Sequence, residues 1–240
     1  MLKLKPALRL GHCPACGSSL FFKYAENEMA VRCIQCRASP VTLALIAALI
    51  ASRAQAATVL GEERVLELSS RGALVRFLRK TGCALTTCEY FDDVTLGLYK
   101  GETQCQDVQQ LTYADDSFDI CTSTEVFEHV PSDRAGFREV FRVLRPGGLI
   151  AFTVPISEKP VTVERAEVGA HGITHFLPPE YHGDRLRGAG KVLCFRNYGL
   201  DIQTRLNQAG FVAVALPLIT HPDWFNFGRR VILGTKPKLT

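Results

Sequence analysis

Four cysteines near the start of the chain form two Cys-x-x-Cys pairs, Cys13/Cys16 and Cys33/Cys36, with sixteen residues between them. Four thiolates at that spacing close tetrahedrally around zinc, and such a site supplies folding energy that roughly 36 residues would not find in a core of their own. Two disulfides or redox-active pairs are the competing reading; with no adjoining strand-helix-strand pattern, zinc is favoured. A second constellation, "TEVFEHV", spaces Glu125, Glu128 and His129 at i, i+3 and i+4, one face of a helix. Two carboxylates and an imidazole on one face can hold a divalent cation, with oxygen donors suiting magnesium or manganese more than zinc. Without a metal, His129 or His175 is a natural base. Residues 155–196 gather a third set, His171, His175, Glu180, Tyr181, His182 and Asp184. These either meet an acceptor molecule or form a solvated loop with one aromatic anchor.

The elements that must position these groups follow from the apolar pattern. "LFFKY" and "MAVR" read as a hairpin with a cysteine knuckle at each end. "VTLALIAALIA" is about half the length of a membrane span and reads as a buried helix over 40–56, capped by Ser39 with Pro40 at its first position. Beyond it, "RVLEL", "CALTTCEYF", "FDICTST" and "GLIAFTVP" read as strands, alternating with helices "ALVRFLRK" and "RAGFREVFRVL". A further helix and two closing strands follow, between "DIQTRLNQAGF" and "RRVILGTK". Alternating strands and helices predict a parallel sheet covered on both faces, an α/β fold. The expected division is a ribbon over 1–38, a linker helix over 39–57 and the α/β domain over 58–240.

At 240 residues and 47% hydrophobic, the chain can bury one substantial core with a small appendage. A net charge of +4 falls well short of a dedicated nucleic-acid binder, although Lys3, Lys5, Arg9, Arg32 and Arg37 make the cysteine segment basic. Nine cysteines, an odd number, and no apolar leader-like run point to a reducing cytoplasm. Cys83, Cys88, Cys105, Cys121 and Cys194 read as small core residues.

The order "VLELSSRGA", "CEYF", "CQDVQQLTYADDSFDICTSTEVFEHV" and "FREVFRVLRPGGLIAFTVP" resembles the class I S-adenosylmethionine-dependent methyltransferases, whose fold is Rossmann-like. The resemblance covers roughly residues 58–240. It implies that Glu67 organises the loop receiving the amino-acid end of S-adenosylmethionine, with Ser69 and Gly72 in that loop. Glycines usually fill such a loop so that the backbone can approach the ligand; here Ser69, Ser70 and Arg71 replace most of them, and Gly72 remains. By the same resemblance Glu89 accepts the ribose hydroxyls, Asp107 the adenine amino group, Val108 lies against the ring, and Thr124 is a further cofactor-binding residue. "TEVFEHV" is similar to the Glu-x-x-Glu-His segment of ubiquinone-pathway O-methyltransferases and of small-RNA 2'-O-methyltransferases. In those families a later histidine completes a metal site, a role that falls here on His175. "LPPEYHGD" is similar to the substrate-side loop of bacterial enzymes acting on small metabolites or glycans, which assigns Tyr181 and His182 to acceptor contact.

Three functions follow. The first is O-methylation of a hydroxyl on a small molecule or sugar, with structural zinc in the ribbon and magnesium at the Glu-Glu-His face. The second is RNA methylation with the ribbon gripping nucleic acid, disfavoured by the thin basic charge and by "STEV" where amino-group methylators carry Asn-Pro-Pro-Tyr. The third is a non-catalytic scaffold that uses the ribbon for protein contacts.

Overall fold

The computed structural model describes residues 7–183 and 190–238; Lys3, Lys5 and Asp184 lie outside them. The cysteine segment forms β1 (Ala7–Leu10), β2 (Leu20–Lys23) and β3 (Val31–Cys33), an antiparallel sheet in that order. The β2–β3 hairpin was expected, whereas β1 was not, because a four-residue edge strand leaves little pattern. Helix α1 (Pro40–Gln55) follows, with Ser39 Oγ accepting from Thr42 N–H and Pro40 in the first turn.

The central sheet is built from β4 (Arg64–Glu67), β5 (Ala84–Glu89), β6 (Tyr99–Lys100), β7 (Thr103–Cys105), β8 (Phe118–Thr124) and β9 (Leu144–Thr153). Helix α2 (Ala73–Thr81) links β4 to β5, and α3 (Asp133–Val143) links β8 to β9. Six short strands, unforeseen in the sequence, fill the next stretch: β10 (Val163–Glu164), β11 (Ala166–Gly169), β12 (Gly172–His175), β13 (Tyr181–Gly183), β14 (Lys191–Leu193) and β15 (Arg196–Asn197). After α4 (Ile202–Gln208) come β16 (Val212–Ala215), β17 (Leu218–Thr220), β18 (Gly228–Arg230) and β19 (Ile232–Thr235).

The sheet order is β16-β19-β9-β8-β4-β5-β7-β6. Strands β7, β5, β4, β8 and β9 are parallel, and β19, β16 and β6 are antiparallel to their neighbours. The chain runs outward from β4 through β5 in one direction and through β8 in the other. The carboxyl ends of β4 and β8 therefore flank the crevice where open α/β sheets bind ligands. β16 and β19 are the two expected closing strands, with the β17–β18 hairpin inserted between them.

Two apolar cores lie on the two faces of the sheet. One holds Leu66, Phe118, Phe127, Phe137, Phe152, Tyr198 and Leu206. The other joins Cys13, Phe21 and Cys33 to Leu43, Leu45, Ile46 and Leu49 of α1, and to Val65, Ile120, Ala151 and Trp224. Helix α1, expected as a linker, is thus the layer between the cysteine sheet and the central sheet. Its apolar residues recur around most of its circumference because it is covered on more than one side. The β17–β18 insertion fastens the cysteine sheet further: His12 N–H donates to Asp223 at 2.8 Å, and Arg9 lies 4.5 Å from the Phe225 ring centre and donates to the Pro222 carbonyl. Gly11 is required there, since a Cβ would stand 2.3 Å from Asp223 Cγ. Among the described residues no helix is long and apolar enough to cross a membrane.

A fully buried leucine in this shared layer should cost about 2–5 kcal/mol when truncated. Leu45→Ala is therefore expected to lower the urea midpoint of the whole chain in a single transition; a change below about 0.5 kcal/mol, as at an exposed site, would contradict the shared core.

Candidate active site

A cleft of about 1000 Å³, part of it open to solvent, lies over the carboxyl ends of β4, β5, β7 and β8. Glu89, Tyr90, Asp107, Val108 and Gln109 line one end; Val126, His129, Val130, Val168, Ile173, Val192 and Leu193 line the other. Val168 and Ile173 pair across the β11–β12 hairpin and line the cleft from it.

Glu67 ends β4 buried at 1% exposure and accepts a hydrogen bond from Thr122 Oγ1 on β8. Burial pushes its carboxyl up to about 8; the Thr122 hydrogen bond opposes the rise and the charge of Glu89 adds to it. In the loop beyond, Gly72 has φ 111, which explains why glycine remains at this position, just before α2. The serines that replace the other glycines bind Glu89: Ser70 N–H and Oγ–H donate to Glu89 Oε1 at 2.8 and 2.9 Å, and Ser69 Oγ–H lies at 3.5 Å. Asp107 accepts from Gln109 N–H at 2.8 Å and from its side-chain amide at 3.0 and 3.1 Å, while Val108 is buried beside it. Thr124 Oγ1 is buried at the end of β8 with no hydrogen-bond partner among the described residues.

"TEVFEHV" is not a regular helix. Glu125 has φ 53, and only Phe127–His129 make a 3-10 turn; α3 begins later, at Asp133, capped by Ser132 Oγ. The i, i+3, i+4 face therefore does not form. Glu125 turns to Arg229, which donates to Glu125 Oε2, while Glu128 is 1% exposed with neither carboxylate oxygen hydrogen-bonded among the described residues. Burial raises the Glu128 carboxyl well above the usual range; the Glu125 charge adds to this, and Arg229 and Arg196 oppose it.

His182 completes the group. Its Nδ1 lies 3.2 Å from His129 Nε2 and 3.9 Å from Glu128 Oε1, and its Nε2 lies 3.4 Å from Glu180 Oε1. His129 Nε2 is 3.6 Å from Glu128 Oε1, and its Nδ1 sits 2.9 Å from the Leu193 carbonyl, which can only accept, so Nδ1 carries a proton. Glu128, His129 and His182 offer ligand atoms within 4.8 Å of one another. Two imidazoles and one carboxylate suit a first-row transition ion better than the oxygen-rich sphere of magnesium. The expected set of Glu125, Glu128, His129 and His175 is not brought together: Glu125 is taken by Arg229, and His175 is exposed on β12, opposite Ala166. Strand alternation turns His182 inward and leaves its neighbour Tyr181 54% exposed. His129 lines the main cleft, whereas His182 lines a second one with Pro155, Ser157, Glu180, Cys194 and Asn197, so the histidine contact is where the two meet.

The decisive residue missed in the sequence is Arg196. At 3% exposure it donates to the carbonyls of Phe127 (2.9 Å), Val130 (2.6 Å) and Pro131 (2.7 Å), and through Nε to Glu164 (3.0 Å). It thereby fixes the turn carrying Glu128 and His129. The only cue was an arginine enclosed by "LCF" and "NYG", a charge in an apolar setting.

The four cysteines converge as their spacing required. Sγ atoms of Cys13 and Cys36 are 3.7 Å apart and those of Cys16 and Cys33 3.6 Å, and all four lie within 4.8 Å. Thiolates placed tetrahedrally about 2.3 Å from zinc stand about 3.8 Å apart. Backbone amides of Ala15, Ser18 and Ala38 also point at sulfur. The donor set and its spacing fit zinc. Arg9 and Arg37 of the basic group are engaged within the chain, Arg37 lying 5.3 Å from the Phe22 ring centre.

Between about pH 4.5 and 8 the folded chain holds a proton on Glu67 that the unfolded chain has released. Stability from this group is therefore full below that window and is lost as the pH rises through it. Thermal midpoints of the wild type should fall across the window, and Glu67→Gln, which keeps an acceptor for Thr122, should flatten the decline; parallel curves would refute the assignment.

A family of proteins described as a methyltransferase domain matches residues 66–152. An uncharacterized methyltransferase of Mycolicibacterium paratuberculosis is 33% identical over 123 residues, 48% of this chain and 46% of that protein. A ubiquinone biosynthesis O-methyltransferase of Xanthomonas euvesicatoria is 35% identical over 89 residues, 36% of this chain and 37% of that protein. The chain thus spans less than half the length of these curated relatives. Among solved structures, the 1,6-didemethyltoxoflavin-N1-methyltransferase of Burkholderia thailandensis, holding its substrate and S-adenosylhomocysteine, matches with TM-score 0.52 at 15% identity, over 81% of this chain and 79% of that one. Such a match shows the fold alone. The sheet order and the crevice agree with these matches: residues 66–152 match a methyltransferase domain, and the fold is the one seen in S-adenosylmethionine-dependent methyltransferases.

Proposed function

We propose that the chain transfers a methyl group from S-adenosylmethionine to a hydroxyl of a small molecule or glycan, and that residues 58–240 carry this activity. The carrying observation is the cleft itself, lined by the acids Glu89 and Asp107 and by His129, which belongs to the Glu128–His129–His182 group. Bound S-adenosylmethionine would supply an electrophilic methyl on a sulfonium. Glu89 would take the ribose hydroxyls, Asp107 the adenine amino group, with Val108 against the ring. Glu67, Ser69, Gly72 and Thr124 would shape the amino-acid end.

The second cleft is the proposed seat of the acceptor, because it meets the first at His182 and His129. An acceptor hydroxyl there would lose its proton to the imidazole pair, with buried Glu128 as the final base. The acceptor oxygen then bonds to the methyl carbon as the carbon–sulfur bond breaks, giving a methyl ether, S-adenosylhomocysteine and one proton. Alignment and exclusion of water would supply most of the acceleration. A divalent ion on Glu128, His129 and His182 would instead lower the hydroxyl pKa directly. The likeness to an O-methyltransferase over part of the chain supports oxygen as the attacking atom. Cys13, Cys16, Cys33 and Cys36 would hold a structural zinc within the 1–38 ribbon.

Calorimetric titration of the zinc-loaded protein with S-adenosylhomocysteine should show micromolar binding that Glu89→Ala weakens about tenfold or more, the worth of a charge-assisted hydrogen bond. No heat would favour the scaffold reading. Glu128→Gln should retain that binding, yet release S-adenosylhomocysteine from S-adenosylmethionine about 10²-fold or more slowly with a panel of catechols and methyl glycosides. Metal analysis should find one zinc per chain, lost in Cys33→Ser.

A further inference from the structure

Arg229 stands between two carboxylates from distant parts of the chain. Its side chain, 16% exposed on β18, places Nη1 3.2 Å from Glu28 Oε1 and pairs through Nη2 with Glu125 Oε2. Glu28 opens the 3-10 turn that leads the cysteine hairpin into β3 and Cys33. Glu125 is the residue between Thr124 at the end of β8 and the turn carrying Glu128 and His129. One guanidinium fork therefore joins the cysteine sheet to the exit of β8, just before Val126 of the cleft wall.

The Glu125 end of this link is a conformation that needs holding. A non-glycine residue at φ 53 is uncommon and persists where its surroundings over-determine it. Two contacts do so: Glu125 N–H donates to the Thr153 carbonyl at 2.9 Å, and its carboxylate takes Arg229. The other carboxylate oxygen is buried without a hydrogen-bond partner among the described residues, so loss of Arg229 would leave a largely buried charge uncompensated. Such a charge would turn toward water and carry Thr124 and the Glu128–His129 turn with it.

We propose that Arg229 is a positioning residue that ties the folded state of the cysteine module to the conformation of the Thr124–His129 segment, so that the cofactor site is fully formed only while Glu28 holds Arg229. This rests on the reading of the main cleft as an S-adenosylmethionine site. The module is then a working wall of the active site, and its thiolate cluster an upstream determinant of cofactor affinity.

The test is calorimetric titration of full-length, zinc-loaded protein with S-adenosylhomocysteine, alongside emission from Trp224. This single tryptophan is buried in the core shared by the cysteine sheet and the central sheet, so it reports whether the module stays docked. Arg229→Met should weaken binding about tenfold, Glu28→Gln about fivefold, and Arg229→Lys less than Arg229→Met, in the range of coupling between linked sites. All three should keep wild-type Trp224 emission. Chelation of zinc should weaken wild-type binding but add no more than about twofold to the loss in Arg229→Met, because both act through one link. Wild-type binding with Glu28→Gln and Arg229→Met both within about twofold of it, or losses from chelation and Arg229→Met that simply add, would overturn the link. If Arg229→Met shifts Trp224 emission, Glu28→Gln decides alone. No binding by the wild type would instead overturn the cofactor reading beneath it.

Discussion

The buried grip of Arg196 on the turn at residues 127–131 is the constraint on which the site depends. A guanidinium with almost no access to water must have its donors largely engaged and its charge balanced. Three donors go to the carbonyls of Phe127, Val130 and Pro131, and Nε goes to Glu164. Arg205 completes the balance by donating to Asp133 at 2.9 Å and to Glu164 at 2.6 Å, so two arginines face two acids. Tyr198 Oη–H donates to the same Asp133 at 3.0 Å. The turn carrying Glu128 and His129 is thus clamped from outside, and this permits a buried carboxylate to remain without hydrogen bonds of its own.

Elements whose pattern reports only burial were legible in the sequence. "GLIAFTVP" is a near-continuous apolar run, and the short, apolar-centred "RVLEL" and "FDICTST" likewise become strands, β4, β8 and β9, buried along most of their length. The cysteine cluster was equally legible, since four ligands of one type at fixed spacing leave few geometries. The "TEVFEHV" segment was misread because i, i+3, i+4 spacing is necessary for a helical face and does not ensure one. A strand that must leave the sheet and turn under a clamp overrode the local pattern, and the left-handed Glu125 is where it did so. Choosing His175 over His182 failed for a related reason: which residue of a short strand faces inward depends on its partner strand, here β14, and residues near in sequence do not reveal that pairing. Arg196 and Arg229 act through partners dozens of residues away, so neither leaves a local motif.

The cysteine module is joined to the rest by contacts of several kinds. Apolar packing through α1, hydrogen bonds to Asp223 and Pro222, a cation over Phe225 and the Glu28–Arg229 pair all converge on it. Contacts that differ in chemistry respond differently to salt and temperature. Docking by all of them together is therefore less sensitive to conditions than docking by one alone.

The serine loop has a kinetic consequence under the proposed cofactor pose. Ser70 donates twice to the carboxylate oxygen of Glu89, the residue assigned to ribose. In that pose ribose would exchange with this tethered donor rather than meet a solvated acid. The exchange also runs in reverse. As the spent nucleoside loosens, the serine hydroxyl is already in place to displace it. A loop short of glycine would then give up grip on the ligand in return for faster turnover, acting as an internal ejector for product.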